Sequence, residues 1–214
     1  MKRPFSLIVI SSPDALESEA ELVNEMFRNG LQLFHLRKPR FSTRRFASYL
    51  QQIHPAYHNK VVIHSHHELC LRFPLRGVHL NHRHKKRGAL KQWLLLMYLK
   101  MRKPRLTIST GLHSLSDLTR NQSRYNYVFL SPVFESISKT GYKSTFNEIT
   151  LREQLPKLPY DVVAMGGITE DNILKTYDMG FAGAAVLGRI WKSENPVATF
   201  KLIQEKCLQY VPSW

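Results

Sequence analysis

The chain is short of cysteine, of acid and of long apolar runs, and each shortage narrows what it can be. Cys70 and Cys207 are its only thiols in 214 residues. They lie far apart without ligand-like spacing, so neither a disulfide framework nor a cysteine-based zinc site is supported, and a reducing cytoplasm is the expected compartment. No apolar run reaches the roughly 18 residues of a membrane span; even Trp93 to Leu99 stops at Lys100. Lys2 and Arg3 imitate the start of a signal peptide, but the apolar stretch behind them soon meets Pro13, Asp14 and Glu17. It reads as a first strand. No GxGxxG follows that strand, which removes the usual dinucleotide site. Acids number 16 against 31 Lys and Arg, for a net charge of +15. Such a field concentrates anions near the surface without saying which.

What is present is a series of short β-rich runs separated by helical segments: SLIVIS, LQLFHL, KVVIHS, GVHL, RLTIST, YNYVFLSP, DVVAMGG and GAAVLG. Alternation of this kind means βαβ units around a parallel sheet, and about eight such pairs predict a single-domain (β/α)8 TIM barrel over residues 1–214. A doubly wound open sheet is the alternative. Helix punctuation agrees with the series. Ser12-Pro13, Ser114 to Asp117 and Thr169-Glu170-Asp171 read as helix starts, Asn29-Gly30 and Met179-Gly180 as stops.

In a barrel of this type the loops after the strands form one mouth, where active sites lie. That gathers His35 and Arg37, His64 and Ser65, Asn81 to His84, Gly111 to His113, Ser136 to Lys139, Gly166 and Gly167, and Gly188. Glycine turns after the seventh and eighth strands let backbone N–H groups approach a phosphate. The loop FESISKTGYKS offers the hydroxyls of Ser136 and Ser138 and the ammonium of Lys139 to its oxygens. The run HRHKKR, from His82 to Arg87, suits metal, nucleic acid or phosphate.

These segments, with LFHLRKPRFSTR, VVIHSHHEL, GVHLNHRH, TGLHSLSDL, YVFLSPVFESISKTG, AMGGITEDN and AAVLGRIW, resemble in order the thiamine-phosphate synthase and TenI superfamily over nearly the whole chain. The resemblance implies a phosphorylated thiazole as the small-molecule partner, thiamine biosynthesis as the role, and often a homodimer. It places the thiazole phosphate on Ser136 and Ser138 with backbone at Gly166, Gly167, Leu187 and Gly188. Lys139 takes the pyrophosphate of the pyrimidine substrate, joined by His35, Arg37 and His64. Pro39 stands where the family's lysine would be. Where synthases carry two magnesium-binding aspartates, this chain has His64-Ser65 and Asn81 to His84, and Gly111 replaces a serine.

Magnesium wants oxygen ligands, so no metal site is assigned and no cofactor is expected; the synthase alternative would need magnesium. A zinc-like grouping of His64, His66, His82 and His84 is disfavoured by the cations Arg83, Lys85 and Lys86 around it. His113 is the candidate acid/base, since histidine exchanges protons near neutrality. On these grounds a TenI-like thiazole tautomerase ranks first, an isomerase ahead of the transferase. A thiamine-phosphate synthase coupling thiazole phosphate to hydroxymethylpyrimidine pyrophosphate ranks second. A non-catalytic anion or nucleic-acid binder ranks third, because no nucleic-acid motif accompanies the charge.

Overall fold

A computed structural model describes residues 5–81, 89–120, 125–135 and 146–208. Eight parallel strands close into a barrel in sequence order: β1 (Ser6–Ile10), β2 (Leu33–Leu36), β3 (Val61–Ile63), β4 (Gly77–Leu80), β5 (Thr107–Leu112), β6 (Tyr127–Leu130), β7 (Asp161–Met165) and β8 (Gly183–Val186). All eight runs expected from the sequence are strands, and β1 pairs with both β2 and β8, which completes the circle. The helices are α1 (Glu19–Arg28), α2 (Thr43–Gln52), α3 (Ala89–Arg102), α4 (Leu115–Arg120), α5 (Glu148–Gln154), α6 (Ile173–Asp178), α7 (Gly188–Trp191) and α8 (Pro196–Leu208). Between β3 and β4 the connection is a 3-10 turn, His67–Leu71. None of the described helices is long and apolar enough to cross a membrane.

The period of two along each strand divides the core. Leu7, Val9, Phe34, Leu36, Val61, Ile63, Val128 and Leu130 face outward and pack beneath the helices with Val23, Phe46, Leu50 and Phe200. Ile8, Ile10, Tyr127, Phe129, Val163 and Ala185 face inward and pack in the lumen. Burying each large aliphatic side chain contributes about 1.5–3 kcal/mol, so both layers hold the closed sheet. One surface departs from that pattern. On α3, Leu90, Trp93, Leu94, Met97, Tyr98 and Met101 recur at helical spacing and are all exposed, while Leu99 is buried against the core.

Two expected helix starts move. Ser12-Pro13 does not open α1, which begins at Glu19 after Ser18 in the left-handed region. The segment between is held by Lys38, whose ammonium donates to the carbonyls of Ser12 (2.8 Å) and Asp14 (2.6 Å) and to the Glu19 carboxylate. A helix from Pro13 would withdraw those carbonyls. Thr169-Glu170-Asp171 likewise forms a turn ahead of α6. Asn172 Oδ1 accepts from the Thr169 N–H (2.9 Å) while its Nδ2 donates to the Gly167 carbonyl (2.7 Å). The start at Ser114 stands: its Oγ accepts from the Asp117 N–H at 3.2 Å. Both stops stand too, with Asn29 and Met179 as caps and Gly30 and Gly180 at positive φ.

Candidate active site at the barrel mouth

Inward-facing positions of β2 to β6 put three imidazoles in one place. His35 points into the lumen from β2, His64 follows β3, and His79 lies on β4; all are buried. His35 Nδ1 is 2.9 Å from His64 Nε2, and His35 Nε2 is 2.7 Å from the Tyr127 hydroxyl. The His64 and His79 rings stack at 4.1 Å between centroids, and His79 Nδ1 meets Ser109 Oγ at 3.0 Å. One nitrogen from each ring falls within 4.8 Å of the others. Burial holds His35 and His64 well below the ordinary histidine range, with His79 opposing their protonation further. The Arg37 guanidinium acts on His64 in the same sense. His35 and His64 are therefore neutral at neutral pH, and the same burial pushes the Tyr127 hydroxyl upward so that it stays protonated.

His35 was expected to meet substrate from the mouth. Instead both of its nitrogens are occupied inside the protein, below the rim. Arg37 is exposed at the rim itself, and its backbone is pinned: Ser11 Oγ accepts from the Arg37 N–H (2.8 Å) and donates to the Arg37 carbonyl (3.0 Å). The neighbouring cation turns inward. Lys38 is buried with Glu19, which also accepts from the Tyr49 hydroxyl at 3.1 Å. Burial raises the Glu19 carboxyl above the usual range against the pull of Lys38 and Tyr49. Lys38 thus ties the loops after β1 and β2 together and offers no charge to the mouth.

Across the rim, His113 follows β5. Its Nδ1 donates to the Ser131 carbonyl at 2.9 Å, which in the neutral ring leaves Nε2 as the basic nitrogen. Gly111, two residues earlier, has open space where a side chain would start, for a Cβ there meets nothing within 4 Å. The Gly166-Gly167 turn has positive φ at both residues and lies against the loop after β6. Phe134 N–H donates to the Gly166 carbonyl (3.1 Å), and a Cβ on Gly167 would lie 2.4 Å from the Glu135 carbonyl. Glycine is therefore required here by backbone packing. Arg189, in α7 just after Leu187 and Gly188, donates to Glu170 through two nitrogens, one at 2.8 Å, and so joins the last two loops.

Ser136, Ser138 and Lys139 lie outside the described residues, as do His82, Arg83, His84 and the rest of the basic run to Gly88. Among the described residues the zinc-like grouping separates. His66 Nε2 donates to the Phe41 carbonyl at 2.9 Å and its Nδ1 meets Thr43 Oγ1, on the outer side of the rim. His79 and Lys38 were not singled out from sequence. The signal for His79 was there: one histidine inside the apolar run GVHL, as in LFHL, at a position that alternation turns inward. A depression of about 500 Å³ lined by Asn59, Pro74, Arg76 and Lys103 sits at the opposite end of β4 and β5, away from these side chains.

The magnesium ligands implied by resemblance can be tested against the donor set. His64 and Ser65 offer an engaged imidazole and a hydroxyl, and Asn81 to His84 contain no carboxylate. Of the nearby acids, Glu19 is consumed by Lys38 and Glu170 by Arg189. Residues at these two positions do not fit a hard, oxygen-seeking ion.

Comparison with known proteins agrees with this architecture. A solved thiamine phosphate pyrophosphorylase from Bacteroides thetaiotaomicron is 30% identical, with a TM-score of 0.78 over 97% of this chain and 100% of that one. A second, from Pyrococcus furiosus, has a TM-score of 0.74 over 96% of both chains at 20% identity, a likeness of fold alone. Among curated proteins, the thiamine-phosphate synthase of Chlamydia abortus is 25% identical over 94% of both chains. The family model described as thiamine monophosphate synthase matches residues 6–190. With that match over most of its length, the chain belongs to the thiamine monophosphate synthase family.

Proposed function

We propose that this protein is a thiamine-phosphate synthase, coupling a thiazole phosphate to hydroxymethylpyrimidine pyrophosphate with release of pyrophosphate. The observation that carries the reading is the family match along residues 6–190, joined by a relative of that name spanning 94% of the chain. It reverses the order expected from sequence, where the tautomerase stood first. In this reading the thiazole phosphate lies on Ser136, Ser138, Gly167, Leu187 and Gly188, and the departing pyrophosphate faces Arg37 and Lys139. No step passes through magnesium, because the residues at the family's metal positions do not fit it. Guanidinium and ammonium groups instead meet the charge that grows on the leaving group, the moment at which placed cations accelerate a reaction. The test is thiamine phosphate formation by the purified protein from both substrates. Arg37→Ala should slow it about 10²- to 10³-fold, the scale of losing one such donor. No product with or without magnesium would remove the reading.

One observation favours a second reaction, tautomerisation of a carboxythiazole phosphate. The Ser131 carbonyl orients His113 so that Nε2 is the base, as a proton shuttle requires. An ultraviolet assay of tautomer conversion decides it. His113→Asn should slow that conversion about 10²- to 10⁴-fold while leaving phosphate affinity near that of the parent. Conversion without coupling would replace the synthase reading.

A further inference from the structure

We propose that His35, His64 and His79 form a binding site for a divalent transition-metal ion of the zinc class, in the lumen directly beneath the mouth. The inference is independent of the coupling reaction. Three imidazole nitrogens within 4.8 Å of one another, from β2, the residue after β3, and β4, are a donor set that zinc, cobalt(II) and copper(II) accept and magnesium does not. Tetrahedral zinc with nitrogens at 2.0–2.1 Å sets its ligands about 3.3 Å apart. His35 Nδ1 and His64 Nε2 are already at 2.9 Å, while the His79 ring lies stacked on His64 and turns on binding to bring its lone pair to the same point.

The surroundings resemble the outer layer of a metal site more than a packed apolar core. Metal-bound histidines are held by a hydrogen bond from their other nitrogen. Here Tyr127 stands at His35 Nε2, and Ser109 stands beside His79. In the ion-free protein a single proton bridges His35 and His64. A metal in its place takes both lone pairs, and His35 then carries its proton on Nε2, toward the Tyr127 oxygen. His35 and His64 stay neutral, and the proton that bridged them stays in the lumen. A fourth position would open upward, where Gly111 leaves space, and the ion's charge would be met there by an anion from the mouth or by a bound water that releases its proton to solvent at the mouth.

The experiment uses the full chain, stripped with chelator and dialysed, and titrated with cobalt(II) and then zinc. One cobalt per chain with the intense visible bands of tetrahedral coordination, displaced by zinc, is the expected result. His79→Gln should abolish the bands, while His66→Ala and the double change His82→Ala and His84→Ala should keep them. Absence of bound metal in the folded parent, bands that persist in His79→Gln, or bands lost with His82 and His84 would each overturn the site. Should His79→Gln not fold by circular dichroism, Tyr127→Phe takes its place. Loss of that orienting contact should weaken zinc about 10- to 100-fold, and an unchanged affinity would overturn the assignment.

Discussion

Two buried polar networks lie within this barrel and solve the problem of burial in opposite ways. Lys38 and Glu19 keep their charges and cancel them, with Tyr49, the Ser12 carbonyl and the Asp14 carbonyl completing the bonds. His35 and His64 give up charge altogether, and with His79 they form a chain of hydrogen bonds and ring contacts with Tyr127 and Ser109. The first network is closed: every polar atom meets a fixed partner, and its effect is to hold the loops after β1 and β2. The second ends at the rim beside Arg37. A neutral network can exchange protons or accept an ion where a compensated ion pair cannot, whereas the lysine pair serves the architecture.

The largest expected effect breaks the first network. Lys38→Ala leaves Glu19 buried and uncompensated and should cost about 3–5 kcal/mol in urea unfolding, whereas Lys38→Met with Glu19→Leu should recover most of that loss. If the single change costs as little as the double, the pair does not depend on charge cancellation. The second test moves pH, in metal-free protein. His35 and His64 are depressed in the folded state, so the unfolded chain protonates first as pH falls below about 6.5. Stability is therefore full above that value and is lost as pH falls toward the folded values, by about 1.4 kcal/mol per pH unit for each histidine. His64→Phe should flatten the slope by about one proton, and an unchanged slope would place the titration elsewhere. The smallest effect sharpens the second network: Tyr127→Phe, which removes one buried hydrogen bond, should cost about 1 kcal/mol at pH 8.

Most of the architecture was legible before any coordinate. Apolar runs from SLIVIS to GAAVLG are all strands, because parallel strands covered on both faces must be continuously apolar. The glycine stops after Asn29 and Met179 could be read because positive φ is a local demand. Ser12-Pro13 misled for the opposite reason. Its cap-like pattern is local, but the carbonyls of that segment answer to Lys38, some two dozen residues away. His64 was placed at the mouth with His66 as its neighbour in sequence. The fold turns them apart, one into the lumen and one onto the Phe41 carbonyl.

By itself the sequence determined the barrel and the rim formed by the residues that follow its strands, since periodicity acts through neighbours along the chain. Only the tertiary structure decided which histidines meet. His35, His64, His79 and Tyr127 come from β2, the end of β3, β4 and β6, and their convergence depends on the register of closure, with His35 beside Val62 and His79 beside Ser109. A shift of one residue in either pairing would turn an imidazole from the lumen toward the helices. Register is the sum of every packed side chain in the sheet, and no short stretch of sequence carries it.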